Sequence, residues 1–308
     1  AEVTRRYVDV LAQQALIEAY EEAQALAIYT YQSVAKRVEA GASPAFEQQR
    51  ADAALARARL DVLMAKQTHS AMIKSLAIMW GEQAPRFTKV EGNLFALSPS
   101  PSLSVLFEQV ANSPNIDVFA QEYRLQEAQV RLAQSANQAD LSWTAGIRRM
   151  NGIDETAFVA GISMPLFASE RNLGGYEQQK AVLGQLEQQR EGAVLALYHQ
   201  LNTALMARNN ALLNVQTLQG AIIPPLEQAL TLVEQAYLDG RFSYLEWVST
   251  RQELLNAKQA LIHSARQAHQ RAADIESLTA TPLSITSAPS AQSALPRSSV
   301  PNFQRVSK

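Results

Sequence analysis

The chain has 308 residues, a formal net charge of −2, four histidines and no cysteine. That length suits about two average domains, the near-neutral charge gives no footing for nucleic acid or an anionic surface, and the missing thiols exclude a disulfide framework or a thiolate metal site. Glycine is scarce while Ala, Gln, Leu and Glu abound, a composition for long helices, and no apolar run reaches the roughly 20 residues of a membrane-spanning helix.

The first residues, AEVTRRYVDVLAQQAL, are already amphipathic with no signal peptide before them, which reads as a processed or truncated piece. A helix is predicted from Arg5 to about Ala40, with Val8, Leu11, Ala15 and Ala19 on one face. Gly41 ends it. Ser43 and Pro44 then open a second helix, Ser as the cap and Pro at the first helical position, running to about Trp80. Residues 82–113 form a Pro- and Ser-broken connector with a short helix at Leu103–Ala111, and Ser113-Pro114 opens another helix to about Gln138.

The period then changes. Leu141, Trp143, Ala145 and Ile147 alternate with Ser142, Thr144, Gly146 and Arg148. After the turn NGIDE, Phe158, Ala160, Ile162, Met164 and Leu166 alternate with Val159, Gly161 and Ser163. Period two on both sides of a turn is a β-hairpin. An isolated hairpin is marginal in water, and one face here is strongly apolar.

From about Glu170 to Asp239 the helical period returns. A heptad frame from Leu183 puts Leu183, Val194, Leu197, Leu201, Ala204, Ala211, Val215, Leu218 and Ile222 in one seam, against the exceptions Glu187, Arg190 and Arg208. Pro224-Pro225 predicts a local kink. Beyond Gly240, Trp247, Leu254, Leu261, Ala268 and Ile275 fall seven apart. Residues 281–308, rich in Pro and Ser and without an acid, read as a disordered tail. Setting Gly41 on Gly240 also sets Phe46 on Leu245, Glu47 on Glu246, Leu55 on Leu254 and Ala58 on Ala257, an internal repeat.

Several stretches carry a family resemblance: the tips GASPAFEQQRADAALARA and GRFSYLEWVSTRQELLNAKQAL, the helix opening NSPNI and the strand end GISMPLF. Together with the hairpin and the following ASERNLGG, they resemble the TolC-like outer-membrane efflux family, most like its cobalt–zinc–cadmium resistance branch. The resemblance covers residues 1 to about 280. It implies a mostly α fold: long antiparallel coiled-coil helices forming a periplasmic tunnel, and a β-hairpin contributed to a trimeric outer-membrane barrel. It divides the chain into a first-repeat helical hairpin (1–81, truncated at its N-terminus), an equatorial connector (82–113), a second ascending helix (114–140), the barrel hairpin (141–167), a second helical hairpin (168–280) and the tail. The family fold has two hairpins per subunit, so the reading is of a fragment without its first ascending helix and first hairpin.

The implied function is a passive outer-membrane exit duct of a tripartite efflux pump in a Gram-negative bacterium, exporting divalent heavy metals. The implied partners are two further copies of the chain, a periplasmic adaptor, an inner-membrane proton-driven transporter and outer-membrane lipid. A duct for drugs or other small molecules, and a soluble coiled-coil scaffold, remain as alternatives. Carried over by position, Tyr237, Arg241, Glu246 and Glu47 would form the gate at the periplasmic mouth. Arg241 lies one residue before the family's usual Arg, where Phe242 stands, and Ser249 replaces a second family acid. Gly41, Ala42, Ser43 and Pro44 would dock the adaptor with Gly240, Arg241, Phe242 and Ser243. Trp143, Ile147, Phe158 and Ile162 would face lipid. No enzymatic set, cofactor site or metal site is expected: His263 and His269 are six apart, off a common helix face, and His69 and His199 stand alone.

Overall fold

The computed structural model describes residues 1–111, 113–136, 141–150, 155–164 and 168–283. The expected turn at 151–154, the strand end at 165–167 and the expected disordered tail from 284 lie outside these residues. The elements are α1 (Glu2–Glu39), α2 (Ala45–Ala77, followed by one 3-10 turn, Ile78–Trp80), α3 (Leu103–Ala111), α4 (Pro114–Ser135), β1 (Ser142–Met150), β2 (Glu155–Ser163), α5 (Ala168–Thr217), a π-helical turn (Leu218–Ile222), α6 (Ile223–Leu238) and α7 (Tyr244–Thr279). Among the described residues no helix is long and apolar enough to cross a membrane.

The chain divides into two compact units. One gathers Glu2–Pro99 and Ala211–Gln270. Its core joins Val8, Leu11, Ala19 and Val34 of α1 to Leu230 and Tyr237 of α6 and to Trp247, Leu254, Leu261 and Ala265 of α7. The internal repeat holds at the level of burial: Leu55 and Leu254 are both buried, as are Val62 and Leu261 one heptad on. Polar rungs tie α1 to α7, with Arg266 Nε donating to Asp9 at 2.7 Å and Lys258 Nζ to Glu22 at 2.8 Å. The connector is held by side chains that act as strand partners: Gln14 accepts from the Val90 amide at 2.8 Å and donates to the Val90 carbonyl at 3.0 Å.

The helix seam departs from a strict heptad at one place. Ile222, expected inside, is exposed, and Ile223 is buried instead. The cause is the π turn Leu218–Ile222, which adds one residue to the helix. Pro224 and Pro225 lack amide hydrogens and their rings crowd the preceding turn. Widening that turn relieves both problems and moves the seam on by one. Buried positions then resume at Ile223, Leu230 and Tyr237.

The other unit gathers Ser100–Asn210 and Arg271–Thr281. Leu106, Val110, Ile116, Leu201, Ala204 and Ile275 are buried within it, and Phe107 packs on Tyr198 with ring centroids 4.5 Å apart. Ser113 adopts the extended N-cap conformation expected before Pro114, but its hydroxyl does no capping. Its carbonyl accepts instead from the Ile116 and Asp117 amides. Arg208, a polar exception in the seam, is buried and donates to the Ser100 hydroxyl, with the Glu276 charge acting on it. β1 and β2 pair antiparallel, Trp143 opposite Ile162 and Ile147 opposite Phe158.

Alanine in the seam sets how closely the helices approach. Ala265 is fully buried in the core, so Ala265→Leu should destabilise the fold by about 1–3 kcal/mol through overpacking. Denaturant midpoints test this against Ala53→Leu on the exposed side of α2, and equal midpoints would refute the packing assignment.

Candidate functional site

The two tips are built by the same local rule. At the first, the Gly41 amide donates to the Val38 carbonyl at 3.0 Å and the Ala42 amide to the Arg37 carbonyl at 2.8 Å. At the second, Gly240 donates to Tyr237 at 2.9 Å and Arg241 to Ala236 at 2.8 Å. This is the Schellman closure, which needs a left-handed residue just past the helix. Gly41 and Gly240 supply it with φ of 69° and 75°.

Beyond the glycines the two tips diverge. The cap of α2 is Pro44, not Ser43 as the sequence suggested, and it makes no side-chain cap bond. A proline offers neither an amide hydrogen nor a hydroxyl, so Glu47 has nothing to close upon and reaches out instead. The Tyr237 hydroxyl donates to Glu47 Oε2 at 3.2 Å. In the second tip Ser243 stands at the matching place. Its amide and hydroxyl both donate to Glu246 Oε2, at 2.7 and 2.8 Å, and the Glu246 amide reaches back to Ser243 Oγ at 3.5 Å, a reciprocal capping box.

Ser43, released from capping, joins a chain of polar groups. Arg37 Nε donates to Ser43 Oγ at 3.2 Å, and Ser43 Oγ lies 3.4 Å from the Tyr237 hydroxyl. With the Tyr237 proton on Glu47, the Ser43 proton points to Tyr237, and the chain runs from cation to anion. Tyr237 is buried, packed at a tilt on Trp247 with centroids 5.1 Å apart, and the Arg37 guanidinium lies over its ring at 5.0 Å. Burial pushes the Tyr237 phenol up, the Ser43 hydrogen bond partly offsets this, and the Glu47 charge adds to the rise.

Of the expected gate residues, Tyr237 and Glu47 meet. Arg241 does not join them: its guanidinium pairs with Asp239 at 2.7 Å within its own tip. Glu246 serves its capping box. Arg37 was missed because a basic residue in the last turn of α1 reads as an ordinary complement to the helix dipole. The residues expected to dock the adaptor are mostly exposed: Gly41, Ala42, Pro44, Gly240, Arg241, Phe242 and Ser243 lie open, and Ser43 is half-buried. Phe46 and Leu245, equivalent in the repeat, are also exposed.

The hairpin carries a different surface. Trp143, Ile147, Phe158 and Ile162 lie on one face and are 77%, 67%, 85% and 77% exposed. The opposite face holds the Ser142 and Thr144 hydroxyls, which donate to the Ser163 and Gly161 carbonyls. Among the described residues no three His, Asp or Glu side chains converge as a metal site. His269 bonds the Leu94 carbonyl at 2.9 Å, and His69 lies 3.4 Å from Gln14.

Both bonds from Ser243 favour the charged form of Glu246 and hold its carboxyl below the usual glutamate range, the backbone bond first. The capping contribution is therefore present above the unfolded pKa and is lost as pH falls through the lower folded value. The protection factor of the Ser243 amide in hydrogen exchange should drop between neutral pH and below about 4, while that of the Ala42 amide holds. A Ser243 protection factor indifferent to pH, or one still pH-dependent in Glu246→Gln, would contradict the cap.

The sequence pattern of the outer membrane efflux protein family matches residues 106–281. The cobalt-zinc-cadmium resistance protein CzcC of Cupriavidus metallidurans is 24% identical over 279 residues, 90% of this chain and 66% of that protein. The chain thus spans just under two thirds of that relative's length. Among solved structures, the outer membrane protein VceC of Vibrio cholerae matches with a TM-score of 0.71 at 18% identity, over 92% of this chain and 70% of VceC. CusC, solved in a study of transmembrane channel formation, matches with a TM-score of 0.71 at 19% identity, over 89% of this chain and 66% of CusC. The shared fold is that of the TolC-like channels of the Gram-negative outer membrane, and with the family pattern covering more than half its length the chain belongs to the outer membrane efflux protein family.

Proposed function

We propose that this chain is a subunit of a passive, trimeric exit duct, one hairpin of which enters the outer-membrane barrel while its helices extend through the periplasm. The observation that carries this reading is a hairpin whose apolar face stays open, on a chain whose described residues lie mostly in long helices. Backbone groups in a bilayer must all be paired, so such a hairpin belongs in a closed barrel. The duct performs no chemistry. The energy comes from an inner-membrane proton-driven transporter, and a periplasmic adaptor docks at the exposed tips around Gly41 and Gly240.

The cargo proposed is divalent heavy-metal cations, supported by the 24% identity to CzcC over 90% of the chain. Selectivity then lies with the transporter rather than in a tight site in the duct. A deletion strain complemented with the full-length gene should regain tolerance to cobalt, zinc or cadmium. Recovery of drug tolerance without metal tolerance would assign another cargo.

The mouth is proposed to be held shut in part by Tyr237 and Glu47. A hydrogen bond to a charged acceptor contributes about 1.5–3 kcal/mol, so Tyr237→Phe with Glu47→Gln should raise resting conductance of the full-length trimer in planar bilayers by about tenfold or more. Glu246→Gln should instead lower cation preference, as loss of a charged ring does in pores, with little effect on opening. Parent-like conductance and selectivity in both variants would place the gate elsewhere.

A further inference from the structure

A cation that links the two tips by hydrogen bonds comes from a position the family resemblance does not mark. Arg37, in the last turn of α1, sends Nη1 to the Leu238 carbonyl of α6 at 2.7 Å, a shorter bond than the 3.2 Å between Tyr237 and Glu47. The same guanidinium gives Nε to Ser43 at 3.2 Å and Nη2 to the Ala42 carbonyl at 3.3 Å. A Cβ built on Gly240 would meet Arg37 Nη2 at 3.5 Å, so the fork lies directly against the second turn.

The acceptor explains the contact. The last four carbonyls of a helix lack internal partners, and the glycine closure of α6 satisfies those of Ala236 and Tyr237. Leu238 is next, and its carbonyl is taken by a side chain from the other hairpin. The partial negative charge at the C-terminal ends of α1 and α6 favours one cation between them. Arginine suits this because its planar fork reaches several acceptors at fixed angles, whereas lysine is a single flexible point charge.

We infer that Arg37 is the principal lock between the tips: a positioning residue that caps α6 from the other hairpin and holds Tyr237 in reach of Glu47. This rests on the proposed gate. Once Arg37 is removed, the Leu238 carbonyl turns to water, Ser43 loses its donor, and Tyr237 is uncovered on one side. The tips then part as units, since each glycine closure is internal to its own hairpin.

The test uses the full-length trimer, and because residues 1–308 contain no cysteine, thiol labels introduced at chosen tip positions meet no competing site among them. Spin labels at the exposed positions Glu39 and Leu245, in trimers diluted with unlabelled subunits, report the distance between tips within one subunit. Arg37→Ala should lengthen and broaden that distance and raise resting conductance about tenfold, the scale of one lost bond from a charged donor, with the thermal midpoint of the trimer near that of the parent. Arg37→Lys should fall between the two. An unchanged distance in Arg37→Ala overturns the lock, even if Tyr237→Phe with Glu47→Gln opens the duct. Full parent behaviour in Arg37→Lys overturns the bridging role of the fork. A widened distance with parent-like conductance upholds the lock and instead removes the gate reading on which it was built. Should Arg37→Ala not assemble, Arg37→Gln, which keeps one amide donor, carries the same distance measurement, with the same two outcomes.

Discussion

A helix that ends in the open leaves its last carbonyls without partners, and this fold brings two such ends, those of α1 and α6, to one place. The glycine closures answer part of the demand locally, two bonds at each tip. The last carbonyl of α6, that of Leu238, is answered from across the gap, by Arg37. Much of the tip's order follows from that need. Arg37 reaches its acceptors from above the Tyr237 ring, 5.0 Å from the ring centroid. Tyr237 in turn is buried on Trp247, whose other aromatic neighbour is Tyr29, edge-on at 6.2 Å.

The polar chain above that aromatic base gains from its surroundings. Arg37, Ser43, Tyr237 and Glu47 pass hydrogen bonds in one direction, from a positive to a negative end. Bonds so aligned polarise one another, and a poorly hydrated base strengthens them. The asymmetry between the tips comes from one residue type. Pro44 denies Glu47 a cap of its own, and Ser243 gives Glu246 a complete one. Equivalent glutamates in an internal repeat thus have separate tasks, one between hairpins and one within a helix end.

Much of this was legible in the sequence, and the limits have physical causes. The alternation from Leu141 to Met164 gave both faces of the hairpin because a strand's period of two leaves no ambiguity. The tips were legible because glycine is the ordinary answer to a positive φ. The seam was read correctly to Leu218 and then failed at Ile222, since a π turn inserts a residue that no heptad count can see, although Pro224-Pro225 marked the place. Ser43 was misassigned because Ser before Pro looks like a cap wherever it stands, and only the fold shows its hydroxyl linking Arg37 to Tyr237. Arg208 looked like a seam error, yet it is buried against Ser100, far away in sequence. Tyr237 and Glu47 were singled out together by resemblance. The contact of Arg37 with Leu238 needed coordinates, because a backbone carbonyl leaves no trace in a sequence.

A lock that ends on backbone carbonyls has properties that a carboxylate–cation pair does not. Protonation cannot remove its acceptors, and salt screens them less than a pair of exposed charges. Its weakness is geometric: the carbonyl is an acceptor only while the helix end points at the guanidinium. In the proposed duct, opening would therefore depend on displacement more than on pH. Each hairpin keeps its own closure when the tips separate, so no helix has to refold. The polar bonds that must break are a small set, each about 1.5–3 kcal/mol where a charge takes part. A few kilocalories per mole hold a closed state at well over ninety per cent, yet a partner with a modest preference for the open form reverses the balance. A resting mouth that is shut and still openable by binding alone requires an energy of that size.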